Sequence, residues 1–150
     1  MTTLGPVSWI LLSPIIGAIA LLFVPKDRER LLKGIALAAA TVSMLLACWV
    51  FYQYDRTAAG YQFVDKIEWI PMLGISYHVG VDGINATLLL MTAILSFTGV
   101  LVTFGVHDRL KDYLIFYLFL IAGCLGVLCA LDIFFIYFFY ECAVVPVFPL

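Results

Sequence analysis

One carboxylate, Glu141, lies inside residues 133–150, an apolar run that is otherwise free of charge. Asp132 opens the run, and Pro146 and Pro149 follow the glutamate. With 1.5 Å of helical rise per residue, Glu141 lies about 14 Å beyond Asp132, near the middle of a hydrocarbon core about 30 Å thick. A charged side chain at that depth costs roughly 2.5–3.5 kcal/mol on insertion scales, so it needs a partner, water or a proton. Burial raises a carboxyl pKa and a nearby ammonium lowers it, so a Glu whose partner moves is a switchable proton carrier. The structural alternative is a neutral carboxyl hydrogen-bonded to Tyr137, one turn earlier, or to a neighbouring helix. Pro146 has no N–H, which leaves the carbonyl of Cys142 without its helical donor beside Glu141. Such a carbonyl either holds water in a proton wire or simply marks a kink.

The elements that must carry this residue are apolar helices. Of the 150 residues 65% are hydrophobic and 12% charged, against roughly 25% charged in a soluble domain. Mean hydropathy is +1.11. Crossing a bilayer takes about 20 helical residues, and the sequence predicts helices over residues 4–24, 32–52, 84–106, 113–131 and 133–150. The fold class is therefore an all-α membrane protein of five transmembrane helices, with residues 1–150 as one membrane domain and no room for a separate soluble one. The first run lacks a positive leading region, is too long for a signal core and carries Pro6 and Pro14, so it is no cleavable signal peptide. Lys26, Arg28, Arg30 and Lys33 are expected in the first loop and Arg109 and Lys111 in the third, against Arg56 and Lys66 in the second. Positive loops stay inside, which puts the N-terminus outside and suggests a bacterial inner (cell) membrane. All eight Lys and Arg residues fall in predicted loops, leaving no cation at the depth of Glu141.

Between the second and third helices, Tyr61, Phe63, Ile67 and Trp69 alternate imperfectly with polar residues. After the turn at 71–74, Ile75, Tyr77, Val79 and Val81 alternate cleanly, which predicts a small extracytoplasmic β-hairpin. Asp82 and Asp132 are suited to cap the third and fifth helices. His78 is expected at the outer boundary and His107 in a cytoplasmic loop. Ala36, Ala38, Ala39 and Ala40 favour close helix packing, and Trp49, Tyr52 and Tyr54 an interfacial belt. Cys48, Cys124, Cys129 and Cys142 match no metal spacing and read as buried apolar residues. There is no phosphate-binding Gly loop, His/Cys cluster or Ser–His–Asp set, so no cofactor and no metal is expected. The chain's predicted partners are the lipid bilayer and protons, not nucleic acid.

Two segments carry a family resemblance. Trp69-Ile70-Pro71, leading through Gly74-Ile75-Ser76-Tyr77-His78-Val79-Gly80-Val81-Asp82-Gly83-Ile84, resembles the stretch before the third helix of the antiporter-like subunits of respiratory complex I, nearest to the subunit M family. The segment from Asp132 through Tyr140-Glu141-Cys142 to Pro146 is similar to that family's fifth helix, whose proton-channel glutamate and following proline match Glu141 and Pro146. The resemblance implies an antiporter-like helical bundle of two inverted repeats, of which this chain is roughly the first third. In that family the glutamate pairs with a lysine on a later broken helix, absent from these 150 residues. It further implies a proton-translocating subunit of NADH:quinone oxidoreductase, a translocase whose redox chemistry lies in other subunits and whose partners are the other membrane-arm subunits. Multisubunit Na⁺/H⁺ antiporters, membrane-bound hydrogenases and photosynthetic complex-I-like enzymes share a similar glutamate and stand as alternatives. The wording of residues 78–84 leans towards complex I or its photosynthetic equivalent.

Overall fold

In a computed structural model that describes residues 4–57, 60–105 and 109–150, five α-helices surround a shared apolar core and carry a two-stranded hairpin. The helices are α1 (Pro6–Phe23), α2 (Glu29–Gln53), α3 (Gly83–Val102), α4 (Leu110–Cys129) and α5 (Ile133–Val147). Strands β1 (Gln62–Ile70) and β2 (Ile75–Val81) form the predicted antiparallel hairpin between α2 and α3. Helices α1 to α4 are each long and apolar enough to cross a membrane. Helix α5 has 15 residues and rises only about 22 Å, less than a full hydrocarbon core.

The imperfect alternation of β1 has a structural cause. Its register with β2 shifts between Gln62 and Asp65 and again between Glu68 and Ile70. Such bulges break the period of two and re-aim the flanking side chains. Phe63, with φ of 53°, meets Trp49 of α2, while Trp69 meets Phe134 and Phe135 of α5. Gly74 closes the turn in the left-handed region at φ 67°, which a residue without Cβ adopts at little cost.

Helix ends expose backbone groups with no partner inside the helix, and in apolar surroundings those groups must be satisfied by side chains. Helices α1, α3 and α5 all start at the hairpin end, and each start meets an aspartate. Asp82 accepts from Asn85 N at 2.7 Å and Asp132 from Phe134 N at 2.9 Å, as expected for caps. The α1 cap is Gly5, which has no side chain; its N–H donates instead to Asp65 of β1 at 3.0–3.1 Å, and Ser8 Oγ donates to the same carboxylate at 2.6 Å. At the other end, Lys111 Nζ donates to the last carbonyls of α1, Leu22 O and Val24 O, at 2.9 and 2.8 Å. Lys33 Nζ donates to Phe104 O just past α3 at 3.0 Å. Acids at helix starts and cations at helix ends also complement the helix dipoles. Lys33 and Lys111 thus lie on α2 and α4, and Lys66 on β1, rather than in loops. Helix α2 begins early enough to include Arg30 as well.

Small residues and hydroxyls bring the helices together. Pro14 cannot donate to the carbonyl of Ile10, and two hydroxyls replace it: Ser13 Oγ at 3.3 Å and Ser43 Oγ, from α2, at 3.2 Å. The two oxygens lie 2.5 Å apart, and with one proton each, one hydroxyl donates to the carbonyl while the other donates to its neighbour. Ala36, Ala39 and Ala40 are buried as expected, but Ala38 is exposed, because it lines an open groove between α1 and α2 with Ile35 and Val42. Cys129 is buried and Cys124 and Cys142 are partly buried, whereas Cys48 is exposed on the uncovered side of α2. Between α4 and α5 the backbones nearly touch. A Cβ on Gly123 would lie 2.5 Å from the amide nitrogen of Ala143.

Two substitutions test this packing. Replacing Ser13 and Ser43 together by Ala strands the Ile10 carbonyl and is expected to destabilise the bundle by about 1–3 kcal/mol. Gly123→Ala pushes α5 off α4, with an expected loss of about 1–3 kcal/mol. Both are read as a lower midpoint of denaturation by SDS in mixed micelles.

Candidate functional site

Glu141 lies on α5, about 14 Å along the axis from Asp132. Phe138, Glu141, Cys142 and Val145 recur at spacings of three, four and seven, so they share one helix face. That face forms one wall of a groove of about 360 Å³, whose other wall is Phe116 and Phe119 of α4. Pro146 also lines it. Only Phe135, Phe139 and Pro146 of α5 are buried, and Glu141 is exposed on the surface this chain leaves open. Among the described residues its carboxylate has no hydrogen-bond or ion-pair partner. Tyr137, the expected intrahelical partner, is 68% exposed and makes no bond to it. The lysines that touch other groups do so at helix ends: Lys111 and Lys33 on carbonyls, Lys26 on Asp112 at 3.4 Å.

The two intrahelical prolines differ in setting. The carbonyl freed by Pro14 is covered by two buried hydroxyls. The carbonyl of Cys142, freed by Pro146, is on the helix face of Glu141 at an apolar groove. Among the described residues, no three His, Cys, Asp or Glu side chains are grouped to hold a metal ion.

A second polar cluster lies at the hairpin end. Asp65 binds the start of α1, and Ser8 Oγ lies 3.0 Å from Tyr77 Oη. Burial raises the Tyr77 pKa, the Ser8 hydrogen bond opposes that shift, and the Asp65 charge adds to it, so Tyr77 keeps its proton at neutral pH. Asp132 spans two elements: one oxygen caps α5 and the other accepts from Ser76 N of β2 at 3.1 Å. The Ser76 amide is the main cause of its lowered pKa, with the α5 amides adding to it and desolvation opposing. Leu131 N donates to His78 O at 2.8 Å, and Val79 bridges Ala130, so the hairpin is also tied to the α4–α5 turn. His78 acts there through its backbone, and His107 lies outside the described residues. Sequence reasoning missed Asp65. The signal was its parity, which Asp65 shares with Phe63 and Trp69, the strand residues that meet α2 and α5, although the register shift after Gln62 blurs it.

No protein-family model matches the chain. NADH-ubiquinone oxidoreductase chain 4 of Arabidopsis thaliana is 33% identical over 142 residues, covering 94% of this chain and 29% of that protein. NADH-quinone oxidoreductase subunit M of Rickettsia conorii is 25% identical over 123 residues, covering 81% of this chain and 25% of its own length. In the solved structure of respiratory complex I from Thermus thermophilus with bound NADH, one chain superposes with a TM-score of 0.73. That chain is 28% identical, over 94% of this chain and 27% of its own. Over most of its length the chain is similar to chain 4, or subunit M, of NADH:quinone oxidoreductases. It spans less than a third of the length of these relatives. The apolar helices and the complex I match make it an integral membrane protein.

The tie at Asp132 has a definite pH dependence. Its folded pKa lies below the ordinary Asp value of 3.8, so its contribution is complete above that value and is lost as pH falls through the lowered one. The Ser76 amide should therefore resist hydrogen exchange at neutral pH and lose that protection in strong acid. Asp132→Asn should remove the acid dependence, and exchange mass spectrometry of the hairpin reads both.

Proposed function

We propose that this chain is the part of a proton-translocating membrane-arm subunit that carries its mid-membrane glutamate. Glu141 would take up and release a proton as its electrostatic surroundings change, coupled to electron transfer in other subunits of an NADH:quinone oxidoreductase. The observation that carries this reading is Glu141 itself: a carboxylate midway along an apolar helix, on an apolar groove, with no partner among the described residues. Such a group is costly to keep and is favoured where charge must move. The chain would form roughly the first third of a longer subunit, whose remainder would supply the cationic partner. The other membrane-arm subunits would surround it.

The distribution of Lys and Arg supports an orientation with the hairpin and N-terminus outside and the α1–α2 turn inside, in a bacterial inner membrane. The names of the relatives favour an electron-driven complex over a stand-alone Na⁺/H⁺ antiporter.

The test is Glu141→Gln in the complete membrane complex, reconstituted in liposomes. NADH-driven acidification is expected to fall by about tenfold or more, the scale of losing a positioned proton-transfer group. Full pumping by the variant overturns the reading. Na⁺-driven proton exchange that needs no electron donor would favour the antiporter alternative.

A further inference from the structure

Helix α5, which carries Glu141, is held from two directions, by α4 along its length and by the hairpin at its start. It packs on α4 along one side, through the Gly123–Ala143 contact and Phe139, and on the hairpin at its start. Most of its remaining side chains are exposed, including Phe134, Tyr137, Phe138, Tyr140 and Val144. At the hairpin end α5 is held by Asp132 on the Ser76 amide, by Trp69 against Phe134, and by one ring that meets both strands.

That ring is Phe135, 8% exposed. Its centroid lies 5.8 Å from Trp69 of β1 and 5.5 Å from Tyr77 of β2, the latter edge to face. It also lies 6.1 Å from Phe138 and 6.1 Å from Phe139. Tyr77 is fixed in turn, since Ser8 links its hydroxyl to α1 and to Asp65. Phe138 lines the groove of Glu141. A continuous set of contacts thus runs from α1 through Ser8, Tyr77, Phe135 and Phe138 to the groove. Aromatic rings prefer tilted and edge-to-face arrangements, so each pair constrains the orientation of the next.

We propose that Phe135 is a positioning residue for Glu141: it holds α5 against the hairpin so that the carboxyl stays at a set depth and orientation in its groove. The proposal rests on the proton-carrier reading above. Phe135 does not touch the proton. It acts on Glu141 through Phe138 and through the axial position of α5. A displaced hairpin would shift the carboxyl with it.

The experiment uses the complete complex in liposomes with three variants, Phe135→Ala, Phe135→Tyr and Trp69→Leu. Two quantities are read: protons moved per NADH oxidised, and the infrared carboxyl band assigned by its disappearance in Glu141→Gln. Phe135→Ala is expected to shift or broaden that band and to lower the proton yield about twofold or more, because misplacing a reacting group costs rate steeply. Phe135→Tyr keeps the ring and should restore both. Trp69→Leu, one ring further away, should shift the band in the same direction by less. If Phe135→Ala fails to assemble, Phe135→Leu fills the volume without the ring faces and is read in its place. An unchanged band and yield in the Ala or Leu variant, with Glu141→Gln still defective, overturns the positioning role alone. No effect of Glu141→Gln on either quantity overturns both this proposal and the proton-carrier reading. A Tyr variant as defective as Ala also overturns the positioning role.

Discussion

Backbone groups at the helix ends have to be satisfied where water is scarce, and three aspartates and two lysines are placed by that constraint. Asp65, Asp82 and Asp132 receive the N–H groups at the starts of α1, α3 and α5. Lys111 and Lys33 donate to the carbonyls at the ends of α1 and α3. An unsatisfied peptide group costs several kcal/mol in hydrocarbon, more than any single apolar contact in the core returns. The charges therefore act first as terminators of helices. Their sorting, acids at the hairpin end of three parallel helices and lysines at the far end, follows from the alternating direction of the chain.

The same constraint explains why the hairpin is more than a connection. Two of the three aspartates at helix starts join the hairpin to a helix: Asp65 belongs to the hairpin itself, and Asp132 accepts from the Ser76 amide. Removing the hairpin would strand the first amides of α1 and half the acceptor capacity of Asp132. Helix α1 is further locked to α2 by the hydroxyls that repair the defect at Pro14. Helix α5 joins this bundle through its close packing on α4 and through the hairpin.

Glu141 departs from this economy. The carboxylates with a described partner sit at a helix end, on the hairpin or in a polar loop, whereas Glu141, without one, lies mid-helix on an apolar groove. Among the described residues its carboxylate caps no helix and joins no ion pair. The side chains beside it in the groove, Phe116, Phe119, Phe138 and Val145, are all apolar.

Much of this was legible in the chain itself. Apolar runs near bilayer length specify helices because no other single segment satisfies its own backbone in lipid. Clean alternation after a Pro/Gly turn specifies β2, and Asp before an apolar run specifies the caps at Asp82 and Asp132. The isolation of Glu141 in sequence was enough to single it out. Tertiary structure alone decided the rest, because the interactions join residues far apart along the chain. Asp65 reaches Gly5, Ser43 reaches Ile10, Lys111 reaches Val24 and Trp69 reaches Phe135. No local pattern encodes those pairs. They follow from which helix starts fall at one end of the bundle and from a bulge that re-aims β1, and both are set only once the helices have packed.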